Sequence, residues 1–383
     1  TIDGPVTLAT GAVSVTTAND AITFNHSIDG GQTLTLVAGT AATALQGAIG
    51  GTTAITSLTI TNGSAAGTIE VSNIGDSSGV GTTGVVSLGN TNTATITLDG
   101  TVYHTDGAQT YTAAAGQNID ITGAATFTST NDAIAFATAG VDLANDGTTT
   151  INTDTAGGTV TFGAAIETDG GDDDLLVVTS GTGNVTFTGA IGATNELGGL
   201  SVNASAGDGD ITFTSTIGDA DNAGVIGTTA VGNSTTADMN FGGAIYKFDG
   251  ATTFTAVSTG TIDMAAAVGF TTLNDDISFV SGDIELGDGD NLAIATGTGA
   301  GNVVIGGAIG ATSVETLSIT SGTGTISVAA IGTGTEFGAT TIGNANNGGI
   351  TLNGAIVTDG ALTFDGLSLI HISEPTRLLS ISD

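Results

Sequence analysis

The side chains best suited to chemistry in this sequence are carboxylates spaced two residues apart in glycine-rich segments. Hard oxygen ligands of this kind suit Ca²⁺, which accepts several carboxylate and carbonyl oxygens in a flexible geometry. The segments match neither the twelve-residue calcium loop between two helices nor the GGxGxD nonapeptide repeat, so plain solvated turns are the alternative. The candidate calcium ligands are Asp208 and Asp210 in GDGD, Asp219 and Asp221 in GDADN, and Asp288 and Asp290 in GDGDN.

An acidic cluster is the nearest approach to a catalytic site. A polysaccharide hydrolase with a β-helical fold would use paired carboxylates, and Asp172, Asp173 and Asp174 form the densest group in the chain. Consecutive residues of a strand point to opposite sides of the sheet, and no His, Arg, Lys or Trp is close in sequence. We therefore predict a solvated turn here and a protein that is not an enzyme. A β-helical carbohydrate-active enzyme is the alternative function.

The histidines and basic residues add little to this. His26 and His104 are predicted to follow strands as polar surface residues, because neither has a second histidine at metal-ligand spacing. Lys247 is predicted to pair with a nearby acid such as Asp249. The chain has no cysteine, which excludes disulfides and thiol catalysis. Apart from the candidate Ca²⁺, we predict no cofactor and no catalytic residue.

The charge balance restricts the partners. The chain has 37 acidic residues and two basic ones, for a formal net charge of −35. Nucleic acid is excluded as a partner because neutralising phosphates requires many Lys and Arg residues, and anionic membrane surfaces are disfavoured for the same reason. No apolar run reaches the roughly 18 residues that a membrane-spanning helix needs, so no membrane insertion is predicted.

Repeated segments surround these candidate residues. Three passages match in phase, and in each a GAIG turn leads to a short apolar alternation, a Gly/Ser/Asn-rich break, a second alternation and another Ile-Gly. The passages are Gly47 to Gly75, Gly183 to Gly218, and Gly301 to Gly332. Alternation of apolar residues with Thr has the period of a β-strand with one face inward, and β-branched residues dominate these segments.

Larger modules contain these repeats. They cover residues 3–105, 106–248 and 249–358 approximately, and a fourth begins at Asp359. The second module is longer because about one unit is inserted: Phe162 and Phe187, or Ile166 and Ile191, are equivalent residues 25 positions apart. Solenoids accept an additional coil readily because each coil contacts only its neighbours. We predict one continuous solenoid over residues 1–366.

The predicted fold class is therefore all-β. Stacked coils of about 20–26 residues would form a right-handed parallel β-helix, in which strand twist and connection chirality set the handedness. Ile, Val, Leu and Phe would form inner ladders, while Thr and Ser would keep the outside wet. Residues 367–383 lack the repeat and resemble translated sequencing-adapter read-through, so we predict that this tail is not native protein.

The GAIG, LTIT and VTF repeats resemble the β-strand-repeat passengers of bacterial filamentous-haemagglutinin-like and autotransporter adhesins. The resemblance covers residues 1–366 and implies an exported, extracellular structural or adhesive rod that binds a glycan or protein on a host or neighbouring cell. A Ca²⁺-stabilised surface-layer component is a further alternative. The chain begins within a repeat and is predicted to be a fragment of a longer protein. Its open sheet ends predict end-to-end self-association.

Overall fold

The computed structural model describes residues 1–63, 67–143, 147–170, 174–203 and 207–366. These residues form an all-β solenoid of about 14 turns, in which parallel strands of successive turns stack and no helix occurs. The predicted fold class is confirmed, whereas the right-handed sense of winding stays a prediction. The tail at residues 367–383, predicted to be non-native, lies outside the described residues.

Every turn passes through three faces, named here faces 1, 2 and 3 in the order in which the chain first visits them. All strand pairs within a face are parallel. Face 1 contains Val6–Thr7, Ile28–Asp29, Val102–Thr105, Thr126–Ser129, Thr148–Asn152, Leu175–Thr179, Gly199–Val202, Thr229–Val231, Thr252–Thr255, Ile277–Ser281, Val303–Ile305, Thr325–Val328 and Gly349–Leu352. Face 2 contains Val13–Thr16, Thr33–Val37, Ser57–Thr61, Val86–Gly89, Gln109–Thr112, Ile134–Ala137, Val160–Phe162, Val185–Phe187, Ile211–Phe213, Met239–Phe241, Thr261–Met264, Asp283–Leu286 and Ile309–Ala311. Face 3 contains Ile22–Phe24, Thr43–Leu45, Gly67–Val71, Thr93–Leu98, Asn118–Ile121, Gly140–Leu143, Ile166–Thr168, Ile245–Phe248, Val268–Thr272, Leu292–Ala295, Leu317–Thr320, Thr340–Gly343 and Leu362–Asp365.

The interior consists of columns of like residues, one residue per turn. In Val160–Phe162 the first and third side chains are buried and Thr161 points outward, as the period of two requires. The longest aromatic column lies inside face 2, where neighbouring ring centroids are 4.9–5.4 Å apart and nearly parallel. Its members are Tyr111, Phe136, Phe162, Phe187, Phe213 and Phe241. Phe162 and Phe187 are register partners, which confirms that these 25 residues complete one turn.

Single bridging residues replace the strand in two successive turns of each face. They are Ile49 and Ile74 on face 1, Ile191 and Ile217 on face 3, and Ile331 and Ile356 on face 2. The equivalent residues Ile74, Ile217 and Ile331 thus lie on three different faces. Because a module does not contain a whole number of turns, each module presents its loops in a new direction around the rod.

The turns vary in length more than predicted. Register partners are 21 residues apart at Val13 and Leu34 but 29 apart at Leu200 and Thr229, so the expected upper limit of 26 is wrong. The additional residues belong to loops that project from the corners after Ile74 and Ile217. A solenoid tolerates such insertions because a projecting loop leaves the stacked strands in register.

Candidate functional site

The six candidate calcium ligands lie at three separate corners of the solenoid. Asp208 and Asp210 precede the face 2 strand Ile211–Phe213, the pair at 219 and 221 follows the bridging residue Ile217, and the pair at 288 and 290 lies between Asp283–Leu286 and Leu292–Ala295. The structure therefore does not bring the three pairs together. Within residues 1–366, apart from the undescribed gaps, no group of three His, Asp or Glu side chains is arranged to hold a metal ion. Calcium binding stays a prediction.

Several of these carboxylates accept hydrogen bonds that fix the corners. Asp219 Oδ1 accepts from the backbone N–H of Asp221 at 2.8 Å and of Asn222 at 2.7 Å. The backbone bonds from Asn222 and Asp221 hold the pKa of Asp219 below its usual value. Asp210 accepts from Asn184 Nδ2 at 3.3 Å, and Asp288 accepts from Ser313 Oγ at 2.7 Å. These acids contribute to turn geometry as hydrogen-bond acceptors.

Two equivalent loops share one backbone framework. The first corner loop, residues 76–81, follows Ile74, and the second corner loop, residues 219–224, follows Ile217. In the first, Asp76 Oδ1 accepts from the N–H groups of Ser78 and Gly79, both at 2.7 Å. The pKa of Asp76 is lowered by these bonds, the backbone bond from Ser78 first, as that of Asp219 is by its own. Both loops are therefore closed by an aspartate that caps its own turn.

A residue of the following turn contacts each loop. His104 Nδ1 lies 3.4 Å from the Asp76 carbonyl oxygen, and Lys247 Nζ donates to the Ala220 carbonyl at 3.1 Å. The backbone N–H of Gly81 donates to the carbonyl of His104, and that of Gly224 donates to the carbonyl of Lys247, each at 2.8 Å. His104 thus lies within the strand Val102–Thr105, and its prediction as a residue after a strand is wrong. Lys247 donates its hydrogen bond to the Ala220 carbonyl, whereas the sequence predicted pairing with a nearby acid such as Asp249.

The second corner loop overhangs a groove of about 590 Å³ that extends over successive turns. Its lining includes the apolar residues Ile226, Phe248 and Leu273. Leu273 is 61% exposed, whereas Phe248 is buried. Its charged groups are Glu196, Asp219, Asp221, Lys247 and Asp249. The groove therefore combines an ammonium donor, several carboxylate acceptors and an apolar wall, a composition that suits a small polar ligand.

Only part of this groove is recognisable in the sequence. Lys247, Asp219 and Asp221 stand out there, whereas Glu196, Ile226, Phe248 and Leu273 had no predicted role. Position-by-position comparison of the module copies contains the missing signal. The corresponding residues around the first corner loop are Ala54, Thr83, Thr105 and Thr130, so the copies diverge at the residues that line the groove.

A second charged feature is an outward column of acids on face 3. Asp120, Asp142 and Glu167 are register partners on three successive strands. Burial raises the pKa of Asp120. Burial, and then the charge of Asp120, raises that of Asp142. Burial and, at Asp142, a like charge one strand away both favour the protonated carboxyl, so Asp120 and Asp142 take up protons more readily than exposed aspartates.

The acidic cluster considered as a catalytic site is described only in part. Asp172 and Asp173 lie outside the described residues. Asp174 is 1% exposed, so the prediction of a solvated turn is wrong for this residue. Its Oδ1 accepts from the backbone N–H of Gly147 in the preceding turn at 3.4 Å.

In the described part of the chain, no helix has the length and hydrophobicity needed to cross a membrane. No protein-family model, curated protein or solved structure matches the chain.

Proposed function

We propose that this chain is a non-enzymatic structural and adhesive rod that acts outside a bacterial cell as part of a larger surface or secreted protein. The observation that carries the proposal is the continuous ladder of stacked rings from Tyr111 to Phe241. Coils that stack in this way form an elongated structure, and its length increases with the number of coils. A spacer that holds a binding surface away from a cell needs this property.

The outer surface supports an adhesive role. Each module presents its corner loops in a different direction, because the equivalent residues Ile74, Ile217 and Ile331 lie on different faces. Exposed loops on a rigid scaffold are common positions for binding residues. With a net charge of −35, the chain would attract basic partners, repel polyanions and place no charge barrier against neutral partners. A surface glycan or protein of a host or neighbouring cell meets these requirements on charge. The resemblance to filamentous-haemagglutinin-like adhesins also supports an adhesive role.

Bead adhesion tests the proposal. Latex beads coated with the folded chain are expected to adhere to cultured epithelial or bacterial cells more than beads coated with the heat-unfolded chain, which has the same charge. Equal adhesion of both bead types would contradict an adhesive rod. Release of reducing ends from pectin or xylan by the soluble chain would instead support the carbohydrate-active enzyme.

A separate measurement addresses the calcium-stabilised surface-layer alternative. Thermal melting with added CaCl₂ and with excess chelator would separate the two transitions by several degrees if Ca²⁺ bound only the folded state. For the rod proposed here, we expect the two melting curves to coincide.

A further inference from the structure

We propose that the groove beneath the second corner loop is a saccharide-binding site for a short neutral or amino-sugar glycan. This inference rests on the adhesive role proposed above and names the ligand class and the residues involved. The groove volume of about 590 Å³ lies within the range of roughly 300–1,000 Å³ typical of small-ligand sites.

The loop that forms one wall is held in place before any ligand binds. Besides the turn closed by Asp219, Asn222 Nδ2 donates to the Ala193 carbonyl at 3.2 Å, and Lys247 Nζ donates to the Ala220 carbonyl at 3.1 Å. The loop is thus tied to the turn before it and to the turn after it. A wall fixed on both sides loses little conformational entropy on binding, which favours affinity.

The polar groups of the groove match sugar hydroxyls, which both donate and accept. An ammonium group has three N–H donors, and Lys247 uses one of them on Ala220. A sugar oxygen can accept from another. The carboxylates of Glu196, Asp221 and Asp249 line the same groove and accept from hydroxyl or ammonium groups of a ligand.

The apolar wall fits the C–H face of a sugar ring. Leu273 is 61% exposed and lines the groove together with the buried Phe248. Covering it would remove apolar surface from water. At the first corner the equivalent residue is Thr130, and His104 replaces Lys247, so neither the exposed leucine nor the ammonium is present at the first corner.

Charge determines which glycans fit. Several carboxylates and one ammonium leave the groove net negative, and the whole chain carries −35. Sialylated or sulfated glycans would bring like charges together, which costs binding free energy. Neutral sugars incur no such repulsion, and the ammonium group of an unacetylated amino sugar would be attracted.

A glycan array followed by calorimetric titration tests the site. The probes are neutral, amino-sugar, sialylated and sulfated oligosaccharides. The variants are Lys247→Met and Leu273→Thr, and the matched controls at the first corner are His104→Met and Thr130→Ser. We expect wild type to bind neutral or amino-sugar probes, each groove variant to lose on the order of tenfold in affinity, and both controls to retain wild-type affinity. Because Leu273 is exposed, Leu273→Thr is expected to keep the wild-type melting temperature.

Three results would overturn the site: no binding to any probe, binding only to sialylated or sulfated probes, or equal affinity of wild type and Leu273→Thr. Bead adhesion separates this failure from failure of the adhesive role. Beads that adhere equally with wild type and Leu273→Thr would refute the groove and leave the adhesive rod standing. Glycan binding lost in both groove variants would support the groove even if coated beads failed to adhere.

Discussion

The two corner loops have the same backbone and different surroundings. Gly75 and Gly218 donate to the carbonyls of Ile49 and Ile191, both at 2.8 Å, and the loops close with the same Asp-centred turn. Around this framework the residues diverge: Thr105 becomes Phe248, and Thr130 becomes Leu273. Stacking constrains the backbone framework at both corners, whereas different side chains at the surrounding positions are compatible with the same stacked backbone. The positions that differ between the copies are therefore the ones at which the two corners can bind different ligands.

The largest expected effect comes from replacing Phe248, which is buried at the second corner, by the threonine found at the equivalent position of the first corner. Phe248→Thr removes a ring that is 1% exposed and leaves a cavity beside Phe254, whose ring centroid is 6.2 Å away. We expect a loss of about 3 kcal/mol in the free energy of unfolding, measured by urea denaturation. As a control, Thr105→Ser at the first corner keeps the hydroxyl that donates to the Gly107 carbonyl and should cost less than about 1.5 kcal/mol. Equal losses of stability in Phe248→Thr and Thr105→Ser would mean that these two positions do not differ in packing.

The sequence was sufficient to predict the solenoid but not the groove. Alternation in segments such as Val160–Phe162 repeats at every turn, and the 25-residue spacing of Phe162 and Phe187 gives the turn length directly. The groove, by contrast, is assembled from Glu196, Asp221, Lys247 and Leu273, which come from successive turns and have no local pattern. Turn lengths between 21 and 29 residues prevent simple counting from aligning them. The equivalence of His104 with Lys247 was available from the module copies, because both follow an aromatic residue in the same repeat.

A smaller effect should be equal at both corners because it concerns the shared framework. A Cβ on Gly81 would lie 2.2 Å from Gly75 N, and one on Gly224 would lie 2.2 Å from Gly218 N. Backbone atoms cannot move away without breaking the stacked register. We expect Gly81→Ala and Gly224→Ala each to cost about 2 kcal/mol, measured by urea denaturation. A difference above about 1 kcal/mol between them would show that the frameworks are not equivalent.

The pH dependence of the closing aspartates should also agree between corners. Asp76 and Asp219 have folded-state pKa values below the unfolded value of 3.8. Their stabilisation is therefore fully present above pH 3.8 and is lost as the pH falls through the lowered pKa. Asp76→Ala and Asp219→Ala should lower the melting temperature at pH 7, and the deficit should shrink when melting is repeated below pH 3.8. A deficit that is unchanged at low pH would assign the effect to the side chain's packing and not to its charge.

The smallest expected effect separates the corners again and concerns local motion. Lys247 holds its loop through one hydrogen bond to Ala220 at 3.1 Å, and the group is partly exposed, so Lys247→Met should change global stability by only about 0.5 kcal/mol. The same substitution should speed amide exchange at Asp221 and Asn222, because local opening of a loop requires much less free energy than unfolding of the stack. His104→Met should have a weaker effect on Ser78 and Gly79, since the His104 contact is longer at 3.4 Å and Asp76 also accepts from Ser78 Oγ at 2.8 Å. No acceleration at either loop would mean that the turn closed by aspartate, and not the residue from the following coil, determines how rigid each corner is. The groove wall would then owe its shape to Asp219, and the specialisation of the second corner would be confined to the side chains that line the groove.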